Sequence, residues 1–272
     1  MKKILVAIDF SEASRNAMDY AAKLAKTING DIVLLHAFLL PVPVGDLPGY
    51  IPVSFADVQE ENEAELQREI EYLACNHQLQ VNGYVRSGAA SSVINEVADE
   101  INADFIVMGM KGSGKTPGIF GSTVTAQIRN SKKPLLIIPE NVKFVPLKSI
   151  VFGADFGKWP SHESYMTLAD LVKHFKADLK IVHIEKSSEK MGADEVAGKI
   201  RADLLFDKID HSFHTVQNDD IEKGLQDFIA SNPTDLLVMV AHHHNLFERL
   251  FGTVHTKLMA FQINLPLLAL HD

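Results

Sequence analysis

The sequence predicts an α/β fold built from two tandem domains, each with a mostly parallel sheet flanked by helices. The first observation is a series of short apolar runs rich in Ile, Val and Leu, such as ILVAI, IVLLH, FIVMG and LLIIP. Strands buried on both faces of a parallel sheet have this composition. The second observation is that helical patterns separate the runs, and this alternation is typical of right-handed βαβ units.

The third observation is an internal repeat that covers nearly the whole chain. Residues 2–38 align with residues 148–184, and later landmarks follow in the same order in both copies. The aligned pairs are Asp9 with Asp155, His36 with His183, Asp104 with Asp235, Gly121 with Gly252, and Lys132 with Ile263. We therefore predict one domain at residues 1–140, a linker at 141–147 and a second domain at 148–272.

The predicted linker begins NVKFVP and is neither long nor rich in Gly and Ser, so it should hold the two domains close together. We expect an intrachain pseudo-dimer in which the last strands of the copies, residues 134–139 and 266–270, meet at the interface. A homodimer of the whole chain is compatible with this arrangement. The Pro-rich segment 41–52 should form a surface loop, placed to act as a lid over a site at the end of the second strand.

Composition limits the partners and the compartment. The formal net charge of −9 supplies no global positive field for a polyanion, so we expect no nucleic-acid partner. The apolar start of the chain ends at Asp9 and no segment reaches transmembrane length, which predicts no membrane partner. A single cysteine, Cys75, suits a reducing compartment. We expect a cytoplasmic protein.

The stretch GMKGSGKT, Gly109 to Thr116, matches the written form of a Walker A phosphate-binding loop. In such a loop the helix begins within the motif. Here Pro117 follows directly, and the next helical pattern begins only after Gly121. A P-loop NTPase that uses Lys115 is one alternative function for the chain.

A longer glycine pattern explains the same stretch differently. Gly109 and Gly112, just after a strand, let the backbone approach an anionic ligand closely. Gly121, Ser122 and Thr123 then open a helix and supply backbone N–H groups, hydroxyls and the positive end of the helix dipole. This combination binds phosphates without Lys115, although the glycines could also serve only as turn formers.

The features together resemble the universal stress proteins in their tandem form. The shared features are a first strand ending in Asp, a second strand ending in His and a small apolar residue, and M-G-x-x-G followed by G-[ST] before a helix. The resemblance implies two Rossmann-like domains of the adenine-nucleotide α-hydrolase type, each with a mostly parallel five-stranded sheet. It also implies a nucleotide, usually ATP, at the C-terminal edge of the sheet.

The resemblance assigns a role to individual residues by position. Those implied for the adenine, the ribose and the phosphates are, in chain order, Ala7, Ile8, Asp9, Ala37, Met108, Gly109, Gly112, Gly121, Ser122 and Thr123. The implied ligand is ATP or AMP, with Mg²⁺ as a candidate companion ion. Eight residues separate Gly112 from Gly121, one fewer than the family usually has, which leaves a preference for di- or triphosphate open. No general base stands next to the phosphate loop, so we expect a regulatory or sensing module with at most slow ATP hydrolysis.

The second copy departs from this pattern. Ala241 and His244 are aligned with the neighbour of Gly109 and with Gly112, and a His side chain there would block phosphate, so we expect no nucleotide in this copy. Ten of the twelve histidines lie from His162 onward. The candidate zinc ligands are Asp155, His183, His242 and His244, which makes a metal-dependent hydrolase or a zinc-binding protein the other alternative function. The counterpart of His183 in the first copy is His36, and this favours a structural role for both.

Overall fold

The structure is a computed structural model that describes residues 2–40, 54–111, 120–154, 161–185, 192–207, 209–241 and 264–271. The first half of the chain contains, in order, β1 (Lys3–Ile8), α1 (Glu12–Ile28), β2 (Asp31–Phe38), α2 (Phe55–His77), β3 (Asn82–Ser87), α3 (Ala90–Glu100), β4 (Phe105–Gly109), α4 (Ser122–Asn130) and β5 (Leu135–Ile138). The second half contains β6 (Ser149–Gly153), α5 (His162–Phe175), β7 (Asp178–Glu185), α6 (Ala193–Leu205), β8 (His211–Gln217), α7 (Ile221–Ser231), β9 (Leu236–Ala241) and β10 (Leu267–His271). The predicted lid at residues 41–52 lies outside the described residues.

The described strands form one continuous sheet in the order β3-β2-β1-β4-β5-β10-β9-β6-β7-β8. Pairing is parallel within each half, and each half has the same internal order. The predicted fold class, an α/β fold with a parallel five-stranded sheet in each of two tandem copies, is therefore confirmed. No helix in the described ranges is long and apolar enough to cross a membrane.

The two halves join through the last strand of each. β5 and β10 pair antiparallel, with Leu136 opposite Leu268 and Leu135 opposite Ala269. Every residue of both strands is buried. The prediction that these strands meet at the interface is confirmed, and their pairing makes one sheet out of two.

Equivalent aspartates hold the first strand of each half at its start. Asp104 Oδ2 accepts a 2.7 Å hydrogen bond from the backbone N–H of Lys3. Asp235 Oδ2 accepts a 2.9 Å bond from the backbone N–H of Ser149. The aligned aspartates of the two copies thus accept the same kind of hydrogen bond in the folded protein.

Helix α1 follows β1 after three residues because the turn contains its own cap. The Ser11 side chain accepts a hydrogen bond from the Ser14 N–H, which satisfies one free donor of the first turn. Asn29 ends the helix in the left-handed conformation, with φ of 54°. Helix α1 carries a stripe of alanines that faces the sheet, since Ala17, Ala21 and Ala25 are completely buried.

The predicted linker contacts α1 of the first half and α5 of the second, where the Phe144 ring lies 6.3 Å from that of Phe175. The Asn16 side-chain amide donates hydrogen bonds of 3.0 Å to the carbonyl of Pro139 and 2.9 Å to that of Val142. Lys143 donates a 2.7 Å bond to the Asn16 side-chain oxygen. The Phe144 ring lies 5.2 Å from Tyr20 of α1, edge to face. These contacts support the expectation that the linker holds the halves close together.

Lys2 forms a second connection between the halves. Its ammonium group lies 3.1 Å from Asp104 of the first half and 2.8 Å from Asp170 of α5. Partial burial lowers the pKa of Lys2, but hydrogen bonds and charge from Asp170 and Asp104 outweigh that effect and raise the pKa above 10.5. The side chains of Asp104 and Asp170 are 31% and 42% exposed, so solvent screening keeps the stabilisation small.

Candidate functional site

A cavity of about 310 Å³ opens at the C-terminal edge of the sheet in the first half. It lies where β1 has β2 on one side and β4 on the other. The chain leaves β1 towards β2 but returns to the opposite side of β1 as β4, so the connecting helices diverge there. Open α/β sheets bind their ligands in the crevice that this change of direction creates.

Five separate segments line the cavity, and the predicted residues lie on four of them. Nine of the ten predicted binding residues are among the lining, namely Ala7, Ile8, Asp9, Ala37, Met108, Gly109, Gly121, Ser122 and Thr123. The tenth, Gly112, lies outside the described residues. The structure thus brings the predicted residues together, and what they bind stays a prediction.

The turn between β1 and α1 holds Asp9 in a fixed position. Asp9 Oδ1 accepts hydrogen bonds from the backbone N–H of Ser11 at 3.2 Å and from its hydroxyl at 2.5 Å. The Asp9 N–H in turn donates to Ser14 Oγ at 3.3 Å. Phe10 between them has φ of 62°, a left-handed conformation that is costly for a bulky residue and that occurs often at ligand sites.

The His36 side chain packs against this turn. Its Nδ1 atom lies 2.9 Å from the Ile8 carbonyl oxygen, and its ring lies 4.3 Å from that of Phe10. In the second half, His183 Nδ1 lies 3.1 Å from the Ala154 carbonyl oxygen. Both histidines are buried. The shared geometry supports the structural role that the repeat indicates for them.

The N-terminus of α4 forms the opposite wall of the cavity. Gly121 is the N-cap and has ordinary extended dihedral angles, φ −65° and ψ 160°. Because glycine carries no side chain to cap the first turn, the backbone N–H groups of that turn are left for water or a ligand. A helix N-terminus with free N–H groups favours an anion.

Gly109 has a packing role that the glycine pattern did not reveal. A Cβ atom at this position would lie 2.8 Å from the Ala13 carbonyl oxygen and 3.1 Å from the Ser14 nitrogen. Real Cβ atoms do not approach backbone so closely, so a glycine is needed for α1 to lie against β4. The absence of a side chain at Gly109 thus serves the helix as well as the cavity.

Sequence reasoning missed six of the lining residues. They are Ser14, Leu35, Ala90, Ile94, Lys111 and Val124. Ala90 and Ile94 belong to α3, whose start carries the small residues of SGAASS that the glycine pattern did not include. Lys111 occupies the second x of the motif M-G-x-x-G, a position to which the motif assigns no residue type. Its position beside the cavity depends on the chain path after β4.

The predicted zinc site is largely outside the described residues, since these do not include Asp155, His242 or His244. Among the residues that are described, no group of three or more His, Cys, Asp or Glu side chains could hold a metal ion. The remaining candidate, His183, lies next to the Ala154 carbonyl as described above.

Strand register corrects one detail of the second copy. Ala7 pairs with Met108 in the first half, and Gly153 pairs with Met239 in the second. Val240 is therefore the counterpart of Gly109. Gly112 lies three residues after Gly109, and the residue three after Val240 is His243. The alignment of Gly112 with His244 was therefore wrong by one position. His243 lies outside the described residues.

The connection between the first strand and the first helix is longer in the second half than in the first. Three residues connect β1 to α1, whereas the eight residues 154–161 connect β6 to α5. The cap itself is retained, because the Ser161 side chain accepts from the Ser164 N–H. The short Asp-Phe-Ser turn that positions Asp9 therefore has no counterpart of equal length in the second half.

The Walker A alternative finds no support in the helix that follows β4. Helix α4 begins at Ser122, six residues beyond the end of the motif at Thr116. In a P-loop, the Lys and the following hydroxyl residue occupy the first turn of their helix. Lys115 itself lies outside the described residues.

The fold and the cavity define an α/β protein with a cleft at a topological switch point. The model of the universal stress protein family matches residues 1–139, and the chain belongs to this family. A universal stress protein of Synechocystis sp. is 32% identical over 139 residues, which cover 51% of this chain and 85% of that protein. Universal stress protein G of Salmonella typhimurium is 29% identical over 150 residues, which cover 50% and 98%.

A solved structure supports the tandem arrangement of the fold. The crystal structure of a universal stress protein from Archaeoglobus fulgidus superposes with a TM-score of 0.69 over 99% of this chain and 98% of its own. The two sequences are 18% identical, so the likeness concerns the fold alone. It extends over both halves, as expected for two tandem copies.

Proposed function

We propose that the first half of the protein binds one adenine nucleotide, ATP or AMP, in the cavity at the end of β1 and β4. The observation that carries this proposal is the convergence of nine predicted residues from four segments on one cavity. The volume of about 310 Å³ is at the lower end of the ~300–1,000 Å³ typical of small-molecule sites. A mononucleotide suits a site of this size.

The ligand would lie with its base towards β1 and β2 and its phosphates towards α4. Ala7, Ile8 and Ala37 offer apolar surface for the adenine ring. Asp9, held by Ser11, offers a carboxylate that accepts hydrogen bonds from ribose hydroxyls or from an amino group. The start of α4 then faces the phosphates with backbone N–H groups and the hydroxyls of Ser122 and Thr123.

The second half is proposed to hold no nucleotide. Val240 stands where Gly109 stands in the first half, and the longer connection from β6 to α5 replaces the turn that positions Asp9. The role of this half would then be structural or regulatory, through the shared sheet.

The protein is proposed to act as a cytoplasmic regulatory or sensing module in the stress response, not as an enzyme. The titratable side chains among the described lining residues are Asp9 and Lys111. The Ser11 N–H and hydroxyl both donate to the Asp9 carboxylate, an arrangement that suits recognition of a ligand better than activation of water. We expect ATP hydrolysis to be slow or absent.

Mass spectrometry of the purified full-length protein tests the proposal. Native spectra after addition of ATP or AMP should show one nucleotide per chain, and denaturing spectra should identify any adenine nucleotide that co-purifies. The variant Gly121→Val should lose binding because its side chain excludes phosphate, whereas Lys115→Ala should change it little. Loss of binding in Lys115→Ala with Gly121→Val unaffected would instead support a P-loop. Zinc in place of nucleotide would support the histidine site.

A further inference from the structure

The charges around the cavity are few and unevenly placed. Of the fifteen described residues that line it, thirteen are uncharged, and the other two are Asp9 and Lys111. Asp9 belongs to the turn after β1. Lys111 follows β4, on the side of the cavity where the chain returns to α4.

Backbone hydrogen bonds place Lys111 beside the N-terminus of α4. The Met110 N–H donates a 2.9 Å bond to the Ile138 carbonyl, which extends the pairing of β4 with β5 by one residue. The Met110 carbonyl accepts a 3.0 Å bond from the Gly121 N–H. Because Lys111 is the next residue after Met110, it is held next to the helix cap.

Lys111 is available for a ligand. It is exposed at the mouth of the cavity, and among the described residues it forms no ion pair with a carboxylate. A lysine ammonium is a mobile point charge with three donors, which suits an oxygen-rich anion at the end of a helix. In a chain with a net charge of −9, a local cation also offsets part of the repulsion of a phosphate.

We propose that Lys111 determines specificity at this site by recognising the phosphate charge of the nucleotide, so that affinity rises from adenosine through AMP to ATP. The inference rests on the proposed nucleotide binding and adds a named cation to it. Asp9 supplies the negative charge of the site. A carboxylate accepts hydrogen bonds from the hydroxyl and amino groups of the nucleoside but repels phosphate. Lys111 and Asp9 together determine the orientation of the nucleotide in the cavity.

Calorimetric titration of the full chain with adenosine, AMP and ATP tests this assignment. Lys111→Gln should weaken ATP binding about tenfold, or about 1.4 kcal/mol, and leave adenosine binding unchanged. Lys111→Arg should retain most of the affinity. Lys23→Gln, on the exposed side of α1, is the matched control for the loss of one positive charge and should have little effect. The deficit of Lys111→Gln should shrink as salt concentration rises.

Three results would overturn the inference, and each has a different meaning. If the wild type binds adenosine and ATP but Lys111→Gln binds both as the wild type does, or loses both equally, Lys111 does not recognise phosphate while the proposed nucleotide site stands. If the wild type binds none of the three compounds, both the inference and the proposed function are wrong. A weakened affinity for ATP in Lys23→Gln equal to that in Lys111→Gln would assign the effect to overall charge.

Discussion

Gly109 at the end of β4 and Ala13 in the first turn of α1 approach so closely that a Cβ atom on residue 109 would lie 2.8 Å from the Ala13 carbonyl oxygen. The contact is backbone against backbone, so no side-chain rotation can relieve it. It sets the distance of α1 from the sheet, and α1 begins at the turn that carries Asp9. A glycine that looks like a ligand contact in the sequence is thus also part of the helix packing.

The variant Gly109→Ala should destabilise the protein by about 1–3 kcal/mol, because the added methyl group forces α1 and β4 apart. Urea denaturation at neutral pH measures the free energy of unfolding. Gly153→Ala is the matched control, since a Cβ atom there would meet its nearest neighbour, the Leu225 side chain, at an ordinary 3.7 Å. Equal stability of the two variants would contradict the packing role of Gly109.

Removal of the Ser11 side chain should affect both stability and binding. Ser11→Ala loses the cap of α1 and should cost about 1 kcal/mol. It also removes the hydroxyl that bonds Asp9, so nucleotide affinity should fall. Ser161→Ala removes the equivalent cap in the second half and should lower stability alone. If both variants weakened nucleotide binding to the same extent, the Ser11–Asp9 bond would have no specific role.

Alkaline pH should destabilise the protein through Tyr20. Burial, and next the negative charge of Asp235, raise the pKa of this side chain well above its usual 10.0. A raised pKa in the folded state gives a contribution that is complete below pH 10.0 and is lost as pH rises above it, because the unfolded chain ionises first. Tyr20→Phe should therefore be close to wild type at neutral pH and more stable than it by about 1 kcal/mol near pH ~11.

Denaturation at both pH values checks this expectation, with Tyr84→Phe as the control for the removal of a hydroxyl from a half-buried ring. An unchanged pH dependence in Tyr20→Phe would show that Tyr20 ionises as easily in the folded protein as in the unfolded chain. The edge-to-face contact with Phe144 is retained in the variant, so packing is not altered.

Asn16 should contribute to stability by holding the linker. Asn16→Ala removes two donors from the carbonyls of Pro139 and Val142 and one acceptor from Lys143, and should cost about 1–3 kcal/mol. Asn95→Ala, which loses a single 3.3 Å bond to the Asn130 carbonyl, should cost about 0.5 kcal/mol or less. Comparable losses in thermal or chemical denaturation would show that the linker does not depend on Asn16.

Much of the fold is predictable because its signals are local or repeated. The apolar runs identify the strands, the alanine stripe identifies the buried face of α1, and the repeat predicts that β5 and β10 meet, as Leu136 and Leu268 do. The candidate site is predictable as a set of residue positions, since family motifs mark the ends of strands. These signals give the order of the elements along the chain.

Other features depend on contacts between residues far apart in the chain. Glu69 lies in a glutamate-rich stretch of α2, yet it is buried and pairs with Arg15 at 2.7 Å. The bonds from Asn16 to the linker span more than a hundred residues. The place of Lys111 beside α4 depends on a backbone bond of its neighbour Met110. No periodic pattern in the sequence encodes such contacts.

Photolabelling with an azido-adenine analogue of ATP tests nucleotide binding in the first half, because it locates the adenine ring on the chain. After irradiation and digestion of the full-length protein, we expect label in peptides that contain Ala7 to Asp9 or Ala37, and we expect unlabelled ATP to compete with the labelling. Label confined to peptides of the second half, or label that ATP does not displace, would contradict it.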